Sequence, residues 1–215
     1  QAEQQQRQQQ QEEEEDEEQQ EEEVEEEQDD DDVIIPMPGQ DLVSVGAMVV
    51  GTGEEGFQDG AAAAAMFRFV FAMLQLPDGR LLVADSLGRR IRMLSANLQQ
   101  VSTVAGDGGW AHRDGPAAQA QFRNPTGLAL LTDGRVLVAD CSNHRIRVLS
   151  ADLQQVSTVA GDGEEGHRDG AAAQAQFSDP TGLALLPDGR VLVVDYGNHR
   201  IRVLSADLQQ VSTVA

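Results

Sequence analysis

Residues 180–204 read PTGLALLPDGRVLVVDYGNHRIRVL and contain the clearest structural signal in the chain. Two apolar runs are separated by the triplet Pro187-Asp188-Gly189, which is typical of the tight turn of a β-hairpin. A second turn at 196–199 leads into a run in which arginine alternates with apolar residues, and a third turn follows at 206–208. The sequence therefore predicts four short antiparallel strands, at 182–186, 191–194, 201–204 and 211–215.

This unit is present three times. The string Val-Ser-Thr-Val-Ala occurs at 101–105, 156–160 and 211–215, which gives a period of 156 − 101 = 55 residues. The second and third copies match at 45 of 55 positions, and the first and third copies match at 34 of 55. Such a period indicates a repeat architecture in which each copy is one supersecondary unit. The three predicted repeats are 51–105, 106–160 and 161–215.

Each copy also contains a loop of about twenty residues, longer than a simple connection needs. In the third copy it ends in the alanine-rich segment 171–176, followed by Phe177. We predict one or two helical turns here, with the phenylalanine inserted between neighbouring units; Phe122 and Phe67 hold the same place in the other copies. The inner two strands are apolar on both faces and the outer two are more polar, as expected for a four-stranded propeller blade.

The repeat resembles the NHL repeat, which forms β-propellers. The resemblance covers 51–215 and is carried in the third copy by Asp169-Gly170, Ala175, Phe177, Pro180-Thr181-Gly182-Leu183-Ala184, Asp188-Gly189, Val193, Asp195 and Asn198-His199-Arg200-Ile201-Arg202. The first copy departs from the pattern, with Gly88-Arg89 in place of Asn-His and Val70-Phe71-Ala72 in place of Pro-Thr-Gly. We therefore predict an all-β fold, a partial β-propeller of three four-stranded blades whose first repeat is degenerate.

Three blades are fewer than the roughly four to eight that close a propeller ring. Residues 41–50 read as a lone strand, in the place where a ring-closing strand would lie. Because the chain begins with Gln1 and stops on the last residue of a repeat, we expect it to be a fragment of a longer protein with about five or six blades. The alternative is self-association of half-rings, which would bury the two apolar end faces.

Residues 1–40 form a separate region. The formal net charge of the chain is −22, and most of it lies here, because 1–32 are almost entirely Gln, Glu and Asp. With so little apolar area to bury, the segment is predicted to be a disordered acidic tail. A transient helix or coiled coil over 4–28 is the alternative, although no apolar heptad seam is present. The tail is either an interaction segment for a basic partner or a solubilising linker.

The residues with possible chemistry fit a structural role better than a catalytic one. We expect Asp140 to accept hydrogen bonds from the turn Asn143-His144-Arg145, and Asp195 from Asn198-His199-Arg200, so that each aspartate fixes its turn. The single cysteine, Cys141, aligns with Ser86 and Tyr196, which makes its position a variable turn site. The glycine-rich acidic segment 161–166 lacks the ligand spacing of a calcium loop. We therefore predict no catalytic residues, no cofactor and no metal site.

The leading hypothesis is a non-catalytic protein-interaction scaffold. The NHL resemblance implies a domain that binds protein or RNA and is joined to other domains. A few members of the family are metal-dependent lyases. The candidate interaction loop tips are Trp110, Glu164 and Glu165. The alternatives are the substrate-recognition part of a ubiquitin ligase or of another multidomain protein and, less favoured, RNA binding or a lyase. No basic stripe is present, and the repeats contain 14 Arg against 18 acids, which argues against nucleic acid. Neither a secretory leader nor an apolar membrane span is present, so we expect a cytoplasmic or nuclear protein.

Overall fold

The computed structural model describes residues 50–214, which form three antiparallel five-stranded sheets. Each sheet is one blade built from consecutive strands. Blade 1 contains β1 (Gly60–Ala61), β2 (Val70–Gln75), β3 (Leu81–Asp85), β4 (Arg90–Leu94) and β5 (Gln100–Ala105). Blade 2 contains β6 (Gly115–Pro116), β7 (Pro125–Leu130), β8 (Val136–Asp140), β9 (Arg145–Leu149) and β10 (Gln155–Ala160). Blade 3 contains β11 (Gly170–Ala171), β12 (Pro180–Leu185), β13 (Val191–Asp195), β14 (Arg200–Leu204) and β15 (Gln210–Thr213).

The predicted hairpin forms around the Pro-Asp-Gly turn. In blade 3, Leu183 faces Val193 and Leu185 faces Val191 across the β12–β13 pair. Gly189 closes the turn with φ +85°, a left-handed conformation that favours glycine over residues with a Cβ. The all-β propeller fold predicted from the sequence is thus confirmed.

The prediction of four strands per blade was wrong by one short strand. A fifth strand of two residues, β1, β6 or β11, pairs with the outermost long strand of each sheet. This short strand is part of the long loop, and the aspartate that precedes it fixes it against the outermost long strand. In blade 3, Asp169 Oδ2 accepts a hydrogen bond from the backbone N–H of Thr213 at 3.1 Å. Two residues are too few to show an alternating pattern, so the sequence carried no strand signal at this place.

The alanine-rich segment forms the shorter of the two predicted lengths. It makes a single 3₁₀ turn of three residues in each blade, at Ala62–Ala64, Ala117–Gln119 and Ala172–Gln174. The phenylalanine that follows lies where the sequence predicted. Phe122 and Phe177 are completely buried, Phe122 among residues of blades 1 and 2 and Phe177 among residues of blades 2 and 3.

The hydrophobic core consists of layers between blades. Between blades 1 and 2 the layer includes Leu82, Ala84 and Ile91 from one side and Phe122, Val136, Val138 and Leu149 from the other. Between blades 2 and 3 it includes Leu137, Ala139 and Ile146 from one side and Phe177, Val191, Val193 and Leu204 from the other. Consequently each blade is stabilised by its neighbours, and each inner strand (β2, β7, β12) lies next to the inner strand of the adjacent blade.

Two predictions fall outside the described residues. The acidic tail at 1–40 is one, and the lone strand at 41–50 is the other, apart from Val50, which is in no strand. Both stay predictions from the sequence.

Candidate functional site

Each blade contains a buried arginine paired with a buried aspartate. Arg147 and Asp140 of blade 2 are both completely buried, and Arg147 Nη1 donates to Asp140 Oδ2 at 2.7 Å. Arg147 also donates to Asp114 Oδ1 at 2.6 Å and to the carbonyl oxygens of Gln121 and Arg113. Burial raises the pKa of Asp140, and the Arg147 guanidinium acts in the opposite direction. The equivalent pairs are Arg92–Asp85 in blade 1 and Arg202–Asp195 in blade 3.

The residues of the predicted aspartate–turn motif come together, with different roles. Asn143 Nδ2 donates to Asp140 Oδ2 at 2.8 Å, which is the contact expected from the sequence. His144 does not contact this aspartate; it adopts a left-handed conformation at φ 53°, and its Nδ1 accepts a hydrogen bond from the backbone N–H of Asp179 in blade 3. Arg145 donates to the carbonyl oxygen of Asp162 at 2.7 Å.

Blade 3 repeats this arrangement, since Asn198 Nδ2 donates to Asp195 Oδ2 at 2.9 Å and His199 is left-handed at φ 54°. Arg200 donates to the carbonyl oxygen of Asn198. The residue that sequence reasoning missed is the arginine two positions further on, Arg147 or Arg202. An arginine alternating with apolar residues is usually read as facing water, so its burial was not predictable from the pattern alone.

A groove lies at one end of the inner strands and draws on all three blades. Its volume is about 540 Å³. Exposed apolar side chains form much of its lining, and we call this set the apolar groove: Phe69, Phe71, Leu87 and Tyr196. Asn124, Cys141 and Asp179 also line it. These residues sit at the beginning of an inner strand or in the turn after the second long strand, so the repeat brings variable positions of each blade to one surface.

The apolar groove is enriched in residues that break the repeat pattern. Phe71 stands where the other copies have Thr126 and Thr181, and Tyr196 stands where they have Ser86 and Cys141. Tyr196 is 66 % exposed, the largest value among the exposed large apolar residues of 50–214. An exposed cluster of aromatic side chains is unusual on a soluble protein surface and commonly marks an interaction site.

Two of the predicted loop tips, Trp110 and Glu165, contact residues that are next in sequence to residues of the groove lining. Trp110 is exposed, and its ring is in cation–π contact with two guanidinium groups, with Arg89 at 4.8 Å and Arg123 at 5.1 Å from the ring centroid. In the next copy Glu165 takes its position, and Glu165 Oε1 accepts a hydrogen bond from the hydroxyl of Ser178 at 2.8 Å. The backbone N–H of Glu164 donates to Asp162 Oδ1. The loops therefore carry an arginine–tryptophan cluster near blade 1 and carboxylates near blade 3.

The cysteine that lines the groove is held in its protonated form. Burial and the nearby carboxylate of Asp179 raise the pKa of the Cys141 thiol to about 12. Cys141 Sγ lies 3.7 Å from Asp179 Oδ1. A thiol with so high a pKa is a poor nucleophile at neutral pH, because the thiolate is the reactive form.

Neither a metal centre nor a membrane helix is found in the described part of the chain. Within 50–214, no three side chains of the His, Cys, Asp and Glu types are grouped as a metal would require. No helix in that range has the length and apolar character to cross a bilayer.

Comparisons with known proteins agree with the fold. The NHL repeat family model matches residues 122–149 and 177–204. The chain is 32 % identical over 130 residues to Protein SUPPRESSOR OF QUENCHING 1, chloroplastic, of Arabidopsis thaliana, covering 57 % of this chain and 12 % of that protein. It is 32 % identical over 146 residues to NHL repeat-containing protein 2 of Gallus gallus, covering 63 % of this chain and 20 % of that protein. The chain thus spans a fifth or less of the length of these two relatives.

Among solved structures, an auxiliary nutrient binding protein from Bacteroides ovatus superposes with a TM-score of 0.57 at 18 % identity. The superposition covers 71 % of this chain and 40 % of that chain. A related protein from Bacteroides thetaiotaomicron gives a TM-score of 0.56 at 19 % identity, covering 69 % and 38 % of the two chains. At this identity the likeness concerns the fold alone. The two segments that match the NHL repeat model lie in the second and third blades.

Proposed function

We propose that these NHL repeats form a protein-binding scaffold whose contact surface is the apolar groove and the loop tips beside it. The observation that carries the proposal is the exposed aromatic cluster of Phe69, Phe71 and Tyr196 around a cavity of about 540 Å³. Large aromatic side chains supply much of the binding energy at protein interfaces, because they bury wide apolar area with few rotamers to fix. NHL propeller proteins in general mediate protein interactions, which supports the same conclusion.

The chemistry of the groove favours a partner that presents an apolar side chain on an exposed segment. The lining of the groove comes from all three blades, and the blades themselves are held together by the apolar layers between them. A site whose backbone is already held in place loses less conformational entropy on binding than a flexible segment does. Because Asp179 lines one wall and Arg89 and Arg123 flank the nearby Trp110, the charge around the groove differs from side to side and can orient the bound segment.

A pull-down with groove variants tests the proposal. The chain and its Phe71→Ser/Tyr196→Ser variant are immobilised, and captured proteins are identified by mass spectrometry. We expect at least one partner that the unchanged chain retains and that the variant loses. The control is Val214→Ser, which changes an exposed apolar residue outside the groove and should retain the partner. Equal capture by all three proteins would contradict the proposal.

A further inference from the structure

The junction between blades 1 and 2 differs in charge from the equivalent junction between blades 2 and 3. Both blades of each junction belong to the described part of the chain, so the difference comes from the residues themselves. At four equivalent positions the first junction has Arg89, Trp110, Arg123 and Asn124, and the second has His144, Glu165, Ser178 and Asp179. With histidine neutral, the first set carries two positive charges and the second set carries two negative charges.

The residues of the second junction bind one another. Glu165 Oε1 accepts a hydrogen bond from the hydroxyl of Ser178 at 2.8 Å. His144 Nδ1 accepts a hydrogen bond from the backbone N–H of Asp179 at 3.2 Å. The loop and the turns of this junction are therefore joined by polar contacts within the chain.

At the first junction, two guanidinium groups contact an aromatic ring instead. Arg89 lies 4.8 Å and Arg123 lies 5.1 Å from the ring centroid of Trp110. Within residues 50–214, no carboxylate oxygen comes within 4.0 Å of a nitrogen of either group. Cation–π attraction to the ring holds the two groups in place without neutralising their charge.

The first copy shows what the tryptophan changes. Glu55 has the position of Trp110 in that copy, and Arg68 has the position of Arg123. There the two side chains form an exposed ion pair, with Arg68 Nε 3.9 Å from Glu55 Oε1. Tryptophan in place of glutamate thus keeps a contact for the arginine and removes the negative charge that would neutralise it.

The two arginines adjoin the apolar groove in sequence. Arg123 directly precedes Asn124, and Arg89 follows Leu87 by two residues; Asn124 and Leu87 both line the groove. A guanidinium group can donate two parallel hydrogen bonds to a carboxylate, which makes arginine well suited to bind one. Two positive charges held around one ring also repel each other, and a carboxylate bound there offsets this repulsion.

We infer that Arg89 and Arg123 bind an Asp or Glu side chain of the partner, close in its sequence to the apolar residue that enters the apolar groove; this inference rests on the function proposed above. The partner is then a protein segment that is acidic on the side facing Trp110. A nucleic acid fits this surface less well, because the repeats contain 14 Arg against 18 acids and Asp179 lines the same groove.

A peptide array probed with the 215-residue chain tests the inference. Each peptide contains one Phe or Leu and, one to three residues away, one Glu, Gln or Lys, in an otherwise Gly and Ser sequence. At one spacing or more, we expect the Glu peptides to bind about tenfold more tightly than the matching Gln peptides, a preference that shrinks as NaCl rises from about 50 to about 500 mM. Equal binding of Glu and Gln peptides, or tighter binding of Lys peptides, would overturn the inference.

Three variants assign the preference to the two arginines. Arg89→Gln/Arg123→Gln should bind Glu and Gln peptides equally, and a preference that survives this change would overturn the inference. The matched control, Arg135→Gln/Arg190→Gln, removes two arginines outside the groove lining and should keep the preference. Trp110→Glu introduces the residue of the other copies and should reduce the preference, because the new carboxylate pairs with a guanidinium group. Each comparison is made within one protein, so a loss of stability lowers both affinities and leaves their ratio unchanged.

The variant Phe71→Ser/Tyr196→Ser separates this inference from the proposed function. It should weaken the binding of Glu and Gln peptides alike. If no peptide binds the unchanged chain, or if this variant binds every peptide equally well, the proposed function fails and the inference fails with it. If the variant loses binding but the unchanged chain does not prefer Glu to Gln, only the inference fails. Tighter binding of phosphoserine peptides or of a single-stranded RNA oligonucleotide than of the Glu peptides would also overturn it.

Discussion

The buried arginine of each blade is the residue on which the loop, the strands and the turn converge. Arg147 joins Asp140 at the end of β8, Asp114 in the long loop and two backbone carbonyl oxygens. Desolvating a guanidinium is costly, and this cost is offset here because the group is surrounded by acceptors. The network thus ties segments that are distant in sequence into one blade.

Replacing this arginine should destabilise the fold strongly. Arg147→Met leaves Asp140 buried without its counter-charge, and we expect the free energy of unfolding to fall by about 3 kcal/mol or more. The control is Arg135→Met, which breaks the exposed pair with Asp133 and should cost about 1 kcal/mol or less. Urea denaturation of both variants checks the difference; equal losses would show that the buried pair has no special role.

The cysteine in the apolar groove gives a prediction of pH dependence. Because burial and Asp179 raise the pKa of Cys141 to about 12 from 9.0, the thiolate fraction at pH 8 should be roughly a thousandfold lower than for an unperturbed thiol. We expect iodoacetamide to modify the folded chain slowly and the urea-unfolded chain at an ordinary rate. The rate for the folded chain should rise as pH increases toward 12, and Asp179→Asn should increase it at pH 8. Rapid modification of the folded chain at pH 7 would contradict the predicted pKa.

At the level of strands, the contact between neighbouring inner strands depends on a glycine. A Cβ added to Gly127 in β7 would lie 2.2 Å from the carbonyl oxygen of Thr181 in β12, which belongs to the backbone and cannot rotate away. Gly182, its equivalent in blade 3, would place a Cβ 2.9 Å from a methyl group of Val194, which can adjust its position.

We therefore expect a glycine-to-alanine substitution to lower the free energy of unfolding by different amounts at these two positions. Gly127→Ala should lower the free energy of unfolding by about 1–3 kcal/mol, because it forces the two blades apart. Gly182→Ala should change it by less than about 1 kcal/mol. Thermal denaturation of both variants makes the comparison. The close packing of β7 on β12 would be disproved if Gly127→Ala were the more stable of the two.

The phenylalanine after the 3₁₀ turn packs between neighbouring blades. Phe177→Ala removes a completely buried ring from the layer between blades 2 and 3, and we expect the free energy of unfolding to fall by about 3–5 kcal/mol. Phe67→Ala removes a half-buried ring and should cost about 1–2 kcal/mol in the single chain. Chemical denaturation at a concentration where the chain is monomeric gives both values. Similar costs would mean that Phe177 does not hold the blades together.

Sequence periodicity predicted the long strands and the hairpin turns, because apolar runs and Pro-Asp-Gly carry strong local signals. It did not predict β11, whose two residues pair through a backbone fixed by Asp169, nor the burial of Arg202, since an alternating arginine usually faces solvent. The apolar groove was also missed. Phe71, Leu87 and Tyr196 come from different blades, and only the stacking of the blades brings them together.

The whole molecule combines a repetitive scaffold with a surface that does not repeat. The layers between blades reuse one set of residues, whereas the apolar groove collects the positions at which the three copies differ, such as Phe71 against Thr126 and Tyr196 against Cys141. Packing between blades requires the residues of the layers to be similar in every copy. Binding of one partner requires the residues of the apolar groove to differ between copies. This division supports a scaffold with a specific contact surface.

The measurement that tests the binding surface most directly is selection of peptides from a random library displayed on phage against the immobilised chain. We predict enrichment of peptides that share an apolar residue and bind the chain with a Kd in the micromolar range. Affinity for these peptides should fall at least about tenfold in Phe71→Ser/Tyr196→Ser, a loss of about 1.4 kcal/mol, and stay unchanged in Val214→Ser. No enrichment, or peptides that bind the groove variant as well as the unchanged chain, would contradict the assignment of the apolar groove as the contact surface.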